Sequence, residues 1–391
     1  MSNTWRIYIL AIVSFLVGTS EYIISGILDK IAYSLGVTVS AAGQLITIFS
    51  LVYALFTPVL MAITARMDRR SLLLSSLSLF ILGNLMAFLL PGYGWFVIAR
   101  IIMALGAGMV VVTALTVAAK IAPEGKQGSA MATIIMGFTA SLIIGVPLGR
   151  MTAEAFGWRS VFSGIALLGI AALIIIFFTL PKINGDKPVP LIQQLALFKK
   201  KKVVRGLSIT FFWLGGYAVA YTYLSPYLLS FSEVSERALS GVLLIFGIAS
   251  LVGSRLGGYS TDRWGIPLTL TGGMTLHVIM LISLSFAHSY VSVLMILSLW
   301  SLSAWSTGPT QQYHLATIES ASSSVLLGLN QSMMQFAIAS GAGIGGIFVK
   351  NVSLSSVTWI GATAVAIAIV ISWKAFGTSL KLKPSHVKIN Q

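Results

Sequence analysis

Cysteine is absent from the 391-residue chain, which excludes disulfides, thiolate metal sites and cysteine nucleophiles. Charged residues are scarce too, at 9% of the sequence, against about 25% in soluble domains. Acids are the scarcest, with 10 Asp and Glu against 25 Lys and Arg. What remains is 57% hydrophobic, and its long apolar runs are typical of a membrane protein that crosses the bilayer many times.

Several sequence motifs of pumps and enzymes are also missing. The chain has no Walker loop, no His-Glu-x-x-His pair, no His/Asp cluster with metal spacing and no serine elbow. We therefore expect no ATP-driven transport through this chain, no metal, no cofactor and no enzymatic activity. An intramembrane enzyme would need two acids or histidines at membrane depth on facing helices, and the apolar runs offer one firm acid. That enzyme and a channel remain remote alternatives.

The apolar runs have the length of about twelve membrane-spanning helices, which predicts an all-α membrane protein. The longest connection, residues 181–204, separates an N-terminal six-helix half (1–180) from a C-terminal half (205–376), which a tail (377–391) follows. The predicted spans are residues 6–29, 41–64, 71–90, 95–119, 127–149, 159–180, 205–229, 237–260, 267–287, 290–312, 323–349 and 355–376.

The chain has a net charge of +15, and its basic residues are unevenly divided between the loops. Basic residues such as Arg66, Arg70 and Lys199–Lys202 collect in alternate loops, as they do on the cytoplasmic side of membrane proteins. This pattern predicts cytoplasmic termini and a location in the plasma membrane, and it argues against nucleic acid as a partner. In the central connection, a segment with one apolar face, residues 191–198, precedes four lysines, which predicts either an interfacial helix on the inner leaflet or a solvated linker.

One carboxylate, Glu21, lies inside the first apolar run. A charge at membrane depth costs about 2.5–3.5 kcal/mol on insertion scales, so such residues usually face a cavity and have a function. Ser14, Gly18, Glu21 and Ser25 share one small or polar face of a helix. A carboxyl group in a low-dielectric cavity can bind and release a proton near neutral pH, so the sequence predicts a proton-coupled transporter.

Two further ionisable residues lie within predicted spans. Arg100 falls at a depth similar to that of Glu21, so it is predicted either to take part in proton coupling with Glu21 or to be a structural arginine bonded to backbone carbonyls. His277 is predicted either to relay protons or to be a neutral core histidine.

Amide and aromatic side chains are the candidates for substrate binding. Amides suit a neutral heterocycle or sugar because they donate and accept hydrogen bonds, and aromatic rings stack on planar solutes. Many of these side chains can instead form interhelical bonds or interfacial belts. Gln335 and Gln312 are the foremost candidates, and the full set is Gln44, Gln312, Asn330, Gln335, Tyr217 and Trp305.

Small residues recur every four positions on two spans. Those of the fifth span include Gly137, Ser141, Gly145 and Gly149, and the eleventh repeats Ala337, Gly341 and Gly345 in the same way. Such spacing predicts close helix packing rather than ligand contact.

The two halves repeat a short basic loop whose aspartates, Asp68 and Asp262, are 262 − 68 = 194 residues apart. Together with Arg100-x-x-x-x-x-Gly106-x-Gly108 and Gly145-Val-Pro147-Leu-Gly149, these loops resemble motifs of the major facilitator superfamily. The first loop departs from that pattern, with Thr64 and Ser71 where glycines are usual. The resemblance implies two six-helix halves that rock about a central site, with conformational or gating roles for Asp68, Arg69, Gly145, Pro147, Gly149, Gly258, Asp262, Arg263 and Gly265.

A narrower resemblance rests on four segments of the chain: residues 17–28 around Glu21, Ala42-Gly43-Gln44-Leu45-Ile46, Lys120-Ile-Ala-Pro123-Glu124 and Pro309-Thr-Gln311-Gln312-Tyr. These are similar to bacterial purine efflux pumps and to related sugar and nucleoside exporters of the drug:proton antiporter family. The resemblance implies a monomeric, proton-coupled exporter of purines or their analogues that confers drug resistance. A multidrug or sugar exporter is the alternative. Asp29 stands where these relatives usually have proline.

Overall fold

The computed structural model describes residues 3–123, 127–185, 196–230, 234–318 and 323–376. Regular structure in these ranges is helical. The α-helices are α1 (Asn3–Gly26), α2 (Leu28–Leu35), α3 (Val39–Ile63), α4 (Arg69–Leu89), α5 (Tyr93–Ile121), α6 (Gln127–Ala140), α7 (Val146–Phe156), α8 (Arg159–Thr179), α9 (Lys201–Thr222), α10 (Leu224–Leu229), α11 (Glu236–Leu284), α12 (Tyr290–Ile318), α13 (Ser323–Asn351) and α14 (Ser356–Phe376).

The described ranges hold eleven helical segments that are long and apolar enough to cross a membrane. One of them, Ala238–Leu284, has 47 residues, about twice the roughly 20 that a span needs. Gly265 interrupts it with φ 80° and ψ 168°, a left-handed conformation that glycine adopts without strain. The segment therefore makes two crossings, and the predicted all-helical fold with twelve transmembrane helices is confirmed.

Successive spans run in opposite directions, so the connections between them lie at two opposite ends of the bundle. We call the end that contains the Asp68 loop and the bend at Gly265 the Asp68 end. The opposite end, where α1 stops just beyond Ser25, is the Ser25 end. Boundaries agree with the predicted spans to within about four residues, except that the fifth span continues through α7 to Phe156 and the tenth continues to Ile318.

The first spans of the two halves are broken near the Ser25 end. The sequence predicts continuous helices at 6–29 and 205–229, whereas the backbone leaves helical geometry at Ile27 (φ −128°, ψ 22°) and at Tyr223 (φ −104°, ψ 13°). The breaks are 223 − 27 = 196 residues apart, close to the spacing of the repeated aspartates. Both halves therefore end their first span with a short separate helix, α2 or α10.

The predicted close packing of small residues brings the fifth span against α1. A Cβ atom added at Gly137 would lie 3.0 Å from the Cα of Ala11, and one added at Gly149 would contact Ile23. Between α6 and α7 the chain forms one turn of π-helix, Ser141–Gly145. Because the backbones approach this closely, the first and fifth spans constrain each other around the level of Glu21.

At the Asp68 end, Asp68 ties the start of α4 to the start of the central connection. Its carboxylate caps α4 by accepting from the backbone N–H of Ser71 at 2.9 Å and also accepts from the N–H of Ile183 at 2.6 Å. Although burial acts to raise the pKa of Asp68, the hydrogen bonds from Ser71 and Ile183 outweigh it and hold that pKa below its usual value.

The second copy of the loop is bonded differently. Asp262 is exposed, and Arg263 donates to the hydroxyl of Tyr259 at 2.7 Å within the same segment. The predicted interfacial helix at 191–198 lies mostly outside the described residues, which show only a short 3₁₀ turn at Leu197–Lys199. The tail, 377–391, lies outside them as well.

At the Ser25 end the two halves are joined directly. The Ser225 hydroxyl of α10 donates to the carbonyl of Ser25 at 2.7 Å, and the Ser40 hydroxyl donates to the carbonyl of Gly346 at 2.7 Å. Lys30 and Glu236 form an ion pair at 2.9 Å, and the hydrogen bond and positive charge of Lys30 hold the pKa of Glu236 below its usual value. The bundle is therefore closed at the Ser25 end.

Candidate functional site

Glu21 lies in the interior of the bundle, where it contacts the other half of the chain. It is 4% exposed on α1, and Gln335 is 2% exposed on α13. Gln335 Nε2 donates to Glu21 Oε1 at 2.9 Å. The sequence assigned these residues to proton coupling and to substrate binding respectively, and the structure brings them into direct contact.

The contact leaves two hydrogen-bond acceptors unused. Glu21 Oε2 and Gln335 Oε1 are buried and have no hydrogen-bond partner in the described part of the chain. A buried acceptor without a partner costs about 1–3 kcal/mol, and more when it is charged. A proton, a water molecule or a polar solute at these two atoms would offset that cost.

Arg100 lies beside this pair but forms no ion pair with Glu21 in this conformation. The guanidinium donates from Nη1 to the carbonyl of Ser20 at 2.8 Å and from Nε to the carbonyl of Leu45 at 3.4 Å. Its Cζ lies 4.0 Å from the centroid of the Phe49 ring, a cation–π contact. These are the backbone bonds that the structural alternative predicts, whereas a coupling role through Glu21 stays a prediction.

An aromatic cluster extends from Glu21 into the second half. Tyr22, the residue after Glu21, meets the ring of Tyr221 edge to face at 6.5 Å. Tyr221 stacks on Tyr217 with ring centroids 5.1 Å apart and planes inclined by 14°. Tyr217 in turn contacts Trp305 at 6.1 Å and Trp300 at 5.6 Å. The sequence analysis missed Tyr22, although its position next to the buried acid is a signal that could have identified it.

His277 lies behind this cluster. Its ring is fully buried, 6.3 Å from Tyr217 and 6.0 Å from Trp300. Neither ring nitrogen has a hydrogen-bond partner among the residues described. Aromatic rings thus surround His277 on this side, and its predicted role as a proton relay stays untested.

Three of the predicted substrate residues lie apart from Glu21 and Gln335. Asn330 accepts from Thr210 at 2.8 Å, and Thr210 accepts in turn from Gln311 Nε2 at 2.9 Å, so the Thr210 hydroxyl connects these two amides within the second half. Gln312 is exposed. Gln44 lies at the Ser25 end, where a Cβ added at Gly346 would be 2.8 Å from its Nε2.

A second charged group lies near the break in the first span. Arg150 is fully buried in α7. It donates from Nη1 to Asp29 at 2.9 Å, from Nη2 to Asp29 at 3.2 Å, and from Nη1 to the carbonyl of Gly26 at 2.7 Å. Glu154 is 3.2 Å from its Nε. The unusual Asp29 is therefore half of an ion pair at the joint between α1 and α2.

The sequence matches a known protein family and several transport proteins. The family model of the Major Facilitator Superfamily matches residues 10–324. The uncharacterized MFS-type transporter YbcL of Bacillus subtilis is 73% identical over 382 residues, which cover 97% of this chain and 98% of that protein. The inner membrane transport protein YdhP of Escherichia coli K12 is 28% identical over 95% of this chain and 96% of its own length.

Solved structures of transporters have the same fold. A bacterial homologue of the human lysosomal transporter Spinster, in an inward-facing and unoccupied conformation, superposes with a TM-score of 0.76 at 15% identity, covering 98% of this chain and 99% of that one. A D-xylose-proton symporter superposes with a TM-score of 0.77 at 18% identity, covering 94% and 97%. At these identities the likeness extends to the fold alone.

Proposed function

Because the chain belongs to the Major Facilitator Superfamily and is a multi-pass membrane transporter, we propose that it is a proton-coupled efflux antiporter for small planar organic solutes. Purine bases, nucleosides and their analogues are the proposed substrates. A multidrug or sugar exporter of the same family is the second candidate. The observation that supports the proposal most is the hydrogen bond between Glu21 and Gln335, which links a buried carboxyl group of one half to an amide of the other.

The pair can couple two binding events. An ionised Glu21 buried at membrane depth needs compensation, which either a proton or a solute that donates to Oε2 can supply. If one carboxyl group accepts only one of them at a time, proton binding drives solute release, which is the requirement for exchange. Gln335 gives the second half a direct contact with whichever species is bound.

The surroundings of the pair favour a planar solute. Tyr22, Tyr217 and Tyr221 present ring surfaces on which a heterocycle can stack. A sugar would instead need several free amides around one cavity, whereas Gln311 and Asn330 are bonded to Thr210. This difference makes the sugar exporter the weaker candidate.

The orientation that we propose follows from the basic residues. Arg66, Arg70 and Lys199–Lys202 lie towards the Asp68 end, so we assign that end and both termini to the cytoplasm. Residues 1–180 and 205–376 are the proposed rocking halves, joined by 181–204. Since the chain lacks cysteine, single cysteines can test this. An impermeant maleimide should label Val352→Cys and spare Lys201→Cys in intact cells, and the opposite pattern would overturn the orientation.

The coupling is tested by uphill export from proteoliposomes under an imposed pH gradient, with labelled hypoxanthine, adenosine, arabinose and ethidium as solutes. Glu21→Gln imitates the permanently protonated state, so gradient-driven transport should vanish while passive exchange of solute persists. Glu21→Asp should keep part of the driven transport. As a matched control, Glu236→Gln replaces an acid with 62% side-chain exposure and should keep its dependence on the gradient.

Two outcomes would change the proposal. Uphill export at the full rate by Glu21→Gln would mean that the proton moves through another group, with His277 and Asp29 to be tested next. Transport of ethidium or arabinose without transport of either purine compound would favour the second candidate.

A further inference from the structure

Three basic side chains meet at the Asp68 end, where the seventh span begins and the twelfth span ends. Lys201 and Arg205 lie four residues apart at the start of α9, and Lys374 lies in the last turn of α14. All three residues are exposed. Arg205 Nη1 reaches the carbonyl of Lys374 at a distance of 3.5 Å, so the two spans bring their cations together. We call Lys201, Arg205 and Lys374 the basic cluster.

The packing of the second half holds the basic cluster in place. Helices α9 and α14 approach closely, since a Cβ atom added at Gly216 would lie 2.5 Å from the carbonyl oxygen of Gly361. The turn that precedes Lys201 is anchored by a small buried apolar cluster. Its members are Leu197, Val203, Leu207, Leu315 and Leu326. The cations of the basic cluster therefore stay near one another although like charges repel.

Neighbouring parts of the chain supply no negative charge to the basic cluster. None of its three cations forms an ion pair with a residue in the described ranges, where the ion pairs are made by Lys30 and Arg150. The sequence around the cluster is also without acids, since residues 187–232 and 320–391 contain neither Asp nor Glu. An anion from outside the chain would therefore relieve the repulsion between the three side chains.

The surroundings of the basic cluster are those of a lipid headgroup region. Trp373, next to Lys374, is 56% exposed, and Phe198, just before the lysines, is 38% exposed. Exposed tryptophan is typical of the interface between bilayer and water. Farther into the twelfth span, Val370 is 47% exposed and presents an apolar surface to acyl chains. Cations at the interface thus lie directly above an apolar surface on the same helix.

We propose that the basic cluster is a binding site for one anionic phospholipid of the leaflet at the Asp68 end. Arg205 forms hydrogen bonds to the lipid phosphate with the N–H groups that the Lys374 carbonyl does not use, because a guanidinium matches the geometry of a phosphate. Lys201 and Lys374 add positive charge on either side. The acyl chains lie along the exposed apolar face of α14. The lipid therefore bridges the first and last spans of the second half.

Lipid binding to the purified full-length protein, measured by native mass spectrometry from a neutral detergent, tests the proposal. Phosphatidylglycerol and phosphatidylcholine with identical acyl chains are titrated separately. Each basic side chain near an anionic lipid surface corresponds to roughly a fivefold gain in affinity. We expect the first phosphatidylglycerol to bind roughly 10- to 100-fold more tightly than the first phosphatidylcholine. Excess inorganic phosphate should not displace it, because phosphate has no acyl chains to hold it at the site.

Substitutions locate the lipid on the protein. Arg205→Gln should lower the affinity for phosphatidylglycerol roughly fivefold, and Arg205→Gln combined with Lys374→Gln roughly 25-fold. Arg66→Gln is the matched control, because it removes an exposed cation at the same end but in the first half. Lys350→Gln removes an exposed cation from the last turn of α13 at the Ser25 end. Both controls should keep the affinity of the wild-type protein.

Three results would overturn the proposal. The first is equal affinity for the two lipids in the wild-type protein, a comparison that does not depend on the folding of any variant. The second is displacement of phosphatidylglycerol by inorganic phosphate, which would indicate an anion site rather than a lipid site. The third is an equal loss of affinity in Arg66→Gln and Arg205→Gln, which would mean that positive charge at this end attracts anionic lipid without a defined site. The proposed transport activity does not depend on any of these results.

Discussion

Removing Arg150 should destabilise the joint between α1 and α2. The guanidinium is fully buried and binds Asp29, Glu154 and the carbonyl that Gly26 exposes where α1 ends. Arg150→Met keeps most of the side-chain volume and removes all of these bonds. The carboxylates then lose their partner, and the Gly26 carbonyl loses its donor.

The expected magnitude follows from the exposure of the three side chains. Breaking a fully buried ion pair costs about 3–5 kcal/mol, whereas an exposed pair contributes about 0–1 kcal/mol. Arg150 has no exposure, but Asp29 and Glu154 retain 18% and 24%, so water partly rehydrates them. We therefore expect Arg150→Met to lower the free energy of unfolding by about 2–3 kcal/mol.

The assay is unfolding by sodium dodecyl sulfate in mixed micelles, arranged as a double-mutant cycle with Asp29→Asn. The cycle should give a coupling energy of about 1–2 kcal/mol between the two positions. Arg159→Met is the matched control, because Arg159 at the start of α8 is only half-buried and lies over Trp158; it should cost less than about 1 kcal/mol. The stabilising role of the Arg150–Asp29 pair would be refuted if each substitution lowered the free energy of unfolding by less than about 0.5 kcal/mol and the two effects were additive.

Two further predictions concern helix packing and pH. Gly137→Ala should lower the free energy of unfolding by about 1–3 kcal/mol in the same assay, because the added Cβ would collide with the backbone of Ala11. Gly164→Ala is the control, because a Cβ there meets nothing within 4 Å, and it should be neutral or stabilising. Equal effects of the two substitutions would contradict the close packing at Gly137. Because the pKa of Asp68 is lowered in the fold, its contribution is complete above the ordinary value of about 3.9 and disappears as pH falls through the lower folded value. Hydrogen exchange, corrected for its intrinsic pH dependence, should therefore show that the Ile183 amide is protected at neutral pH and loses this protection in strong acid. In Asp68→Asn the amide should be unprotected at neutral pH as well. Continued protection in that variant would contradict the hydrogen bond from Ile183 to Asp68.

Much of the architecture could be predicted from the sequence. Long apolar runs fix the number and approximate limits of the spans, because each must match the thickness of a bilayer. Close helix packing at Gly137 follows from small residues at four-residue spacing, since only residues without large side chains let helix backbones approach, but the identity of the partner helix does not. Glu21 is conspicuous because an acid within an apolar run costs free energy in the membrane, so its presence indicates a function.

Two helix breaks were not predicted from the sequence, although each has a local signal. Gly26 precedes the break at Ile27, and Pro226 follows the break at Tyr223 and cannot donate to the carbonyl of Thr222. At Ile27 the joint is held by Arg150 and Asp29, which are 121 residues apart. Such contacts depend on how the fifth span packs against the first, and local propensity carries no record of that.

The sequence alone thus determined that the chain is a twelve-span helical bundle with one buried acid, because bilayer thickness and the cost of burying charge act on each segment separately. Only the tertiary structure decided which side chains meet that acid. Gln335 lies 314 residues from Glu21, and Gln311 rather than its neighbour Gln312 points into the bundle. Spans that are apolar on every side carry a weak periodic signal for rotation about the helix axis, so packing between the helices settles which polar residues face one another.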